Sequence, residues 1–112
     1  MSRTFRNLAA WQRSMELASE IHRETSSMPD SERFGLINQM RRAAVSVPSN
    51  IAEGFGRASR PEFLRFMRMA RGSLFELQTQ LHIATSLRMF DPHISVNELL
   101  AETDRVIQGL IR

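Results

Sequence analysis

Three histidines are the side chains best suited to acid–base or metal chemistry in this chain, and they lie on separate segments as His22, His82 and His93. None follows a glutamate by three residues, the spacing with which helical bundles build carboxylate-bridged di-metal sites. Cysteine is absent, so the chain has no disulfide and no thiol-ligated metal site. The glycines at positions 54 and 56 make too short a loop to cradle a phosphate, and no spacing places a base beside a serine nucleophile. We therefore expect no metal, no cofactor and no enzymatic activity.

Arginine supplies the other chemically distinctive surface, because all 15 basic residues are arginine and lysine is absent. Residues 33–71 carry eight arginines against two acids, whereas residues 72–112 carry three against five. Arginine makes bidentate contacts with phosphate and carboxylate groups. The asymmetry predicts either an anionic partner or charge pairing between subunits, although codon usage in a GC-rich genome is a simpler explanation for the missing lysine.

Six arginines are candidates for nucleic-acid binding, because clustered guanidinium groups bind phosphate backbones. They are Arg42, Arg57, Arg60, Arg65, Arg68 and Arg71. Few acids lie near them in sequence, although such a run of charges is ordinarily a solvated face. Aromatic residues make up 7% of the chain and tyrosine is absent, so we expect RNA or DNA to be recognised by shape and charge rather than by base sequence.

The elements that position these residues are four predicted α-helices in one domain, residues 1–112. Apolar residues make up 42% of the chain, enough for one core, and no apolar run is long enough to span a bilayer. The N-terminus lacks the pattern of a signal peptide, so we expect a cytoplasmic protein. Short connections between the helices predict an all-α, antiparallel up-and-down four-helix bundle.

The first predicted helix spans about residues 7–26, with Asn7 as its N-cap. Spacing of three and four assigns its inner face to Leu8, Trp11, Met15, Ala18, His22 and Thr25. The second helix spans about residues 31–54, with the seam Ile37, Met40, Ala44, Val47 and Ile51. Pro48 predicts a kink within this helix, and Gly54 and Gly56 are expected to end it through a left-handed cap conformation.

The third helix, over about residues 60–89, is predicted to begin with a capping box of Ser59 and Glu62. Its predicted core face is Phe63, Phe66, Met67, Ala70, Leu74, Leu77, Leu81 and Ala84. A second capping box, from Ser95 to Glu98, predicts the fourth helix over about residues 96–112. The inner face of that helix is predicted to be Leu99, Thr103, Val106 and Leu110.

The third and fourth helices carry more apolar residues than one bundle needs. The extra residues of the third helix are Leu64, Met69, Phe75, Ile83 and Leu87, and those of the fourth are Leu100, Ile107 and Ile111. Either these residues widen the buried arc of a compact bundle, or copies of the chain associate through them. We expect self-association, with the five residues of the third helix at the interface.

A polar stripe on the second helix, opposite its seam, is a further candidate surface. It consists of Gln39, Arg42, Ser46, Ser49, Asn50 and Glu53. Ser46 and Asn50 flank Pro48, whose ring frees a backbone carbonyl that needs a donor. The stripe is therefore either a recognition surface for a protein partner or a hydrogen-bonded network between helices or subunits.

Several segments together carry a family resemblance, namely Leu8 with Trp11-Gln12 and residues 32–36, 39–54, 63–66, 70–74 and 76–81. They resemble a bacterial family of four-helix-bundle proteins first noticed as reading frames in intervening sequences of 23S ribosomal RNA genes. The resemblance covers about residues 5–111, and residues 41–54 and 70–73 are its most specific parts. Seven positions are candidate interaction or structural residues: Arg41, Ser46, Pro48, Asn50, Glu53, Gly54 and Gly72.

The resemblance implies an up-and-down bundle and no established enzymatic activity. Members are similar to the pentameric accessory protein of diversity-generating retroelements, which binds nucleic acid and a reverse transcriptase. A homopentamer is therefore implied, with RNA, DNA or a protein as further partners. Many members lie outside ribosomal RNA genes, so the family name does not fix a role. The family often has lysine where this chain has arginine, which keeps the charge but changes the contact geometry.

Overall fold

The computed structural model describes residues 4–32 and 35–112, which form four helices and no strand in those ranges. The helices are α1 (Ala9–Thr25), α2 (Leu36–Phe55), α3 (Arg60–Ser86) and α4 (Ile94–Ile111), with 3₁₀ turns at Phe5–Asn7 and Asp30–Glu32. Helices α1 and α3 each pack on α2 and α4, so the bundle is square in section and measures 45 × 22 × 21 Å. The predicted all-α up-and-down bundle is confirmed. No helix within the described ranges is long and apolar enough to cross a membrane.

Helix α1 turns a different face to the core than its spacing predicted. Its buried residues are Ala10, Ser14, Leu17, Ile21 and Thr25. Of the predicted face only Thr25 is buried, whereas Met15 is 41% exposed and His22 is also exposed. Asn7 is not the N-cap, because it lies in the preceding 3₁₀ turn and Leu8 takes the capping position. Helix α1 therefore has two apolar arcs, and the arc assigned to the core lies at the bundle edge.

Helix α2 buries the predicted seam and continues through Pro48, as expected. Gly54 is buried, and a Cβ on it would lie 2.7 Å from both Met67 Cε and Phe66 Cβ. This glycine therefore allows α2 and α3 to approach each other closely. Gly56 caps the helix at φ −82°, so the expectation of a left-handed glycine cap is wrong.

Helix α3 begins as predicted, because the Ser59 hydroxyl accepts a hydrogen bond of 3.3 Å from the Glu62 backbone N–H. Its predicted core residues are buried, apart from the half-buried Phe63. The helix ends at Ser86, and Arg88 follows with φ 57°. The backbone N–H of Met89 then reaches back to the Ala84 carbonyl, which is the pattern of a Schellman cap with arginine in the left-handed position.

Helix α4 begins two residues earlier than predicted. His93 is its N-cap, and the His93 ring accepts a hydrogen bond of 3.1 Å from the Ser95 N–H, so the predicted capping box at Ser95 is wrong. The buried residues of α4 are Val96, Leu100, Thr103 and Ile107. The predicted inner face is therefore right only at Thr103, and the other three predicted residues pack at the core margin.

Candidate interaction surfaces

Three of the candidate arginines meet at the end of the bundle where α2 connects to α3. The guanidinium groups of Arg57 and Arg65 lie 4.6 and 4.9 Å from the centre of the Phe66 ring. Each also contacts an acid three or four positions earlier in the sequence: Arg57 contacts Glu53 at 3.4 Å, and Arg65 contacts Glu62 at 3.0 Å. Arg60 lies beside them in sequence and donates to the Arg112 carbonyl oxygen at 3.0 Å. We call Arg57, Arg60 and Arg65 the loop-end arginine cluster.

The other three candidate arginines, Arg42, Arg68 and Arg71, do not belong to this cluster. Arg71 is half-buried, donates to Asp104 on α4 at 2.8 Å and lies 4.8 Å from the Phe75 ring centre, so it joins α3 to α4. Arg42 and Arg68 are exposed, and neither forms an ion pair with any residue in the described ranges. The six candidates therefore do not form one continuous band, and Asp104 supplies a neutralising acid that lies distant in sequence.

The motif residues of α2 mostly hold helices together. Arg41 donates to the Thr25 hydroxyl at 2.9 Å and to the His22 carbonyl at 3.1 Å, which ties α2 to the C-terminal end of α1. The hydroxyls of Ser46 and Ser73 are 2.8 Å apart and link α2 to α3. Asn50 donates to the Ser46 carbonyl and hydroxyl at 2.9 and 3.0 Å. These contacts favour the hydrogen-bonded network for this part of the stripe.

The predicted interface residues of α3 fall on two sides of that helix. Phe75 is 44% exposed and lies beneath Arg71, on the side that faces α4. Met69 is 44% exposed and lies one turn before Ser73, which places it on the side that faces α2. Leu87 lies five helical turns after Met69 and therefore points in the same direction. Ile83 is also exposed, and Leu64 is half-buried.

An apolar groove between α1 and α2 was missed by the sequence analysis. This α1–α2 groove has a volume of about 640 Å³. Its walls include Trp11, Met15, Ala18, Val45, Pro48 and Ala52, with His22 and Arg23 at one end. The signal was present in the sequence, because α1 has a second apolar arc at Ala10, Leu17 and Ile21 that fills the core. One of two apolar arcs on a helix of a small bundle must face outward.

A polar notch between α2 and α3 lies on the next face of the bundle. Its walls are Gln39, Arg42, Ala43, Ser46, Glu76 and Gln80. Gln80 is only 7% exposed, and its Oε1 atom has no hydrogen-bond partner in the described structure. Glu76 is exposed and forms no ion pair within the described ranges. Buried polar atoms are nearly always paired in folded proteins, so Gln80 Oε1 lacks the donor that such an atom ordinarily has.

Charged side chains join α1 to α4 on the side of the bundle away from the α2–α3 notch. Arg13 on α1 donates to Glu102 on α4 at 2.9 Å and to its neighbour Glu16 at 2.6 Å. The hydrogen bond to Glu102 and the charge of Glu16 raise the pKa of Arg13 above its ordinary value. All three histidines are exposed, and the ring of His93 is engaged in capping α4.

The sequence matches the model of the 23S rRNA-intervening sequence protein family over residues 6–112. A comparison with curated proteins finds no match. Two residues of the motif segment at residues 32–36, Arg33 and Phe34, lie outside the described structure. The similarity to the retroelement accessory protein stays a prediction. Because the family model covers nearly the whole chain and the fold is the four-helix bundle expected for it, this chain belongs to the 23S rRNA-intervening sequence protein family.

Proposed function

We propose that this protein is a non-enzymatic building block of a homo-oligomer, and that the assembly binds nucleic acid through arginine side chains. One observation carries the self-association: apolar side chains are exposed on neighbouring faces of the bundle. Met15 and Val45 are 41% and 46% exposed at the α1–α2 groove, and Met69 is 44% exposed on α3. Exposed apolar surface of this kind ordinarily marks a protein interface.

We propose five copies, the number implied by the expected similarity to the pentameric accessory protein of diversity-generating retroelements. A closed ring suits a chain whose two apolar surfaces differ from each other, since unlike surfaces associate head to tail. Light scattering coupled to size exclusion measures the assembly mass directly. A single copy at micromolar concentration contradicts the proposal, and a Val45→Glu variant should shift the protein toward smaller species.

Nucleic-acid binding is supported by the arginines that remain available for phosphate. Arg68 is exposed without an acidic partner in the described ranges, and the loop-end arginine cluster gathers three more guanidinium groups at one end. Arg71 does not belong to this set, because it is half-buried and joins α3 to α4 through Asp104, whereas Arg57 and Arg65 are exposed and pair only with acids close in sequence. A ring would repeat the arginine surface around its circumference and so multiply its phosphate contacts.

The test compares charge reversals on and off this surface. Arg65→Glu with Arg68→Glu should weaken binding to structured RNA and duplex DNA, and should flatten its dependence on salt concentration. Arg105→Glu is the control, because Arg105 is an exposed arginine on α4 without an acidic partner in the described ranges. Equal loss in the α3 pair and in the control, or no binding by the wild type at low salt, would argue against nucleic-acid binding.

An adaptor for a protein partner is the alternative, favoured by the α1–α2 groove. The groove has the size and apolar walls that suit an amphipathic helix, and Trp11 lines it. Capture of a partner that is lost in Met15→Glu and unaffected by Arg68→Glu would support the adaptor. Persistent binding of nucleic acid by the same Met15→Glu variant would separate the two functions.

A further inference from the structure

Four residues along one edge of α3 are unexplained by the isolated bundle. We call Met69, Gly72, Glu76 and Gln80 the α3 edge; they recur at intervals of three and four residues and therefore lie along one side of the helix. Met69 is exposed and apolar, Glu76 has no charge partner in the described ranges, and Gln80 Oε1 is buried without a donor. Each of these features is ordinary where another helix covers the surface.

Gly72 is the most specific of the four. It lies in the middle of α3, where glycine is the poorest helix former apart from proline. A Cβ on Gly72 would meet nothing within 4 Å, so no contact inside the bundle requires glycine there. Gly54 differs, because its Cβ would overlap α3. Because Gly72 has no side chain, the backbone of another helix can approach the α3 edge closely at this point.

The α1–α2 groove offers matching chemistry at the same height along the bundle. Arg41 donates to the His22 carbonyl, which fixes the His22–Arg23 end of the groove beside Arg41. Glu76 faces the notch together with Arg42, the next residue along α2. Arg23, which pairs with Glu20 on its own helix, and Glu76 therefore lie at nearly the same level on neighbouring faces, with opposite charges.

Neighbouring faces of a square bundle set the geometry of the assembly. In a ring, the outward normals of the two interfaces of one subunit differ by about 90° for four copies and about 108° for five. The α1–α2 groove and the α3 edge lie on two faces that share α2, so their normals differ by an angle close to this range. The shared helix then lies at the inner corner of each subunit.

From these observations we infer that the α3 edge of one copy docks into the α1–α2 groove of the next copy, which closes a ring with α2 innermost. Glu76 meets Arg23 of the adjacent copy, and a polar group from that copy donates to Gln80 Oε1. Arg42, on the outer side of α2 between the two surfaces, faces the central opening. This inference rests on the proposed self-association and names the surfaces that produce it.

The first test uses two glycines that are equivalent inside the bundle. Gly72 and Gly109 both lie in helices where an added Cβ would meet open space, so alanine at either should stabilise the isolated fold. Gly72→Ala should raise the protomer concentration at half-dissociation about tenfold by crowding the docked helix, and Gly109→Ala should leave it unchanged. Gly72→Leu and Gly109→Leu enlarge the same contrast. Sedimentation velocity over a dilution series measures each value, and indistinguishable values for Gly72 and Gly109 variants overturn the inference.

The second test reverses the proposed charge pair. Glu76→Arg and Arg23→Glu should each weaken the assembly about tenfold by placing like charges in contact, and the double variant should recover to within about threefold of wild type. Glu98→Arg is the control, because Glu98 is an exposed acid on α4. If the assembly of the double variant is weakened by as much as the two single effects combined, Glu76 and Arg23 do not pair across the interface. A monomeric wild type would defeat the proposed function itself, whereas a wild-type oligomer indifferent to both tests would defeat only this interface.

Discussion

Replacing Gly54 by alanine should destabilise the bundle, although alanine is the better helix former. The added Cβ would lie 2.7 Å from Phe66 Cβ and from Met67 Cε, and 3.4 Å from the Phe63 carbonyl oxygen. The Met67 methyl is the end of a flexible side chain and can move, but Phe66 Cβ is fixed to the α3 backbone. Relief of the overlap therefore requires α2 and α3 to separate.

The size of the effect follows from two opposing contributions. Overpacking of a close contact costs about 1–3 kcal/mol. Removing a glycine from a helix returns about 1 kcal/mol. The net change is a loss of about 0–2 kcal/mol in the free energy of unfolding, and its midpoint of about 1 kcal/mol corresponds to a fall in Tm of about 4–8 °C for a domain of this size.

Thermal and urea unfolding of Gly54→Ala and Gly109→Ala, at one protomer concentration, tests this reasoning. A Cβ on Gly109 would have no neighbour within 4 Å, so only the helix-propensity gain applies and the Tm of that variant should rise. A fixed concentration matters because association shifts the apparent stability. If Gly54→Ala is as stable as Gly109→Ala, the close approach of α2 and α3 is not what glycine provides.

Three further changes test the fold, and the last two have matched controls. Arg88→Gly should raise the free energy of unfolding by about 0.5–1 kcal/mol, because Arg88 has φ 57° at the end of α3; an unchanged urea midpoint would contradict this. Thr103→Val should stabilise the fold slightly, because the Thr103 hydroxyl is buried without a hydrogen-bond partner in the described structure. Thr25→Val should lower the free energy of unfolding by about 1–2 kcal/mol, because the Thr25 hydroxyl bonds two backbone carbonyls and one guanidinium group. A lower Tm for Thr103→Val than for Thr25→Val would refute this assignment. Arg71→Ala should lower Tm by a few degrees through loss of the interhelical ion pair, and Arg68→Ala should leave it unchanged; equal Tm values would show that the pair contributes nothing.

The seam residues of α2 and α3 could be predicted because each of these helices has one dominant apolar arc. Helices α1 and α4 could not be oriented in the same way. Leu17 and Ile21 compete with Trp11 and Met15 for the core of α1, and the choice depends on which arc faces α2 and α4 together. Local spacing contains no information on that choice, because two arcs on one helix satisfy the same period.

The sequence predicts which arginines are candidates for phosphate binding. It does not predict which of them are neutralised, because their acidic partners can lie far away in the sequence. Asp104 lies 33 positions from Arg71, and only packing of α4 against α3 brings them together. The groove between α1 and α2 was not predicted, since the residues of its α1 wall were assigned to the core. The residues of the polar stripe lie opposite the buried seam of α2, as predicted. The contact between Ser46 and Ser73 shows which part of the stripe joins α2 to α3.

The use of arginine in place of lysine has a physical consequence in this fold. Arg57 and Arg65 both stack on the Phe66 ring while holding an acid, and Arg41 and Arg13 each donate to two groups at once. A planar guanidinium with several donors can make both contacts together, whereas an ammonium group offers a single compact charge.

Part of the charge polarity is internal to the subunit, because Asp104 and Glu102 of α4 neutralise arginines of α3 and α1. Two candidate arginines that are exposed and hold no acid in the described ranges, Arg42 and Arg68, lie on opposite sides of the proposed docking edge. In a closed ring they would give the central opening and the outer surface separate positive charges, so salt-dependent binding that survives Arg68→Glu and fails in Arg42→Glu would locate nucleic acid at the opening.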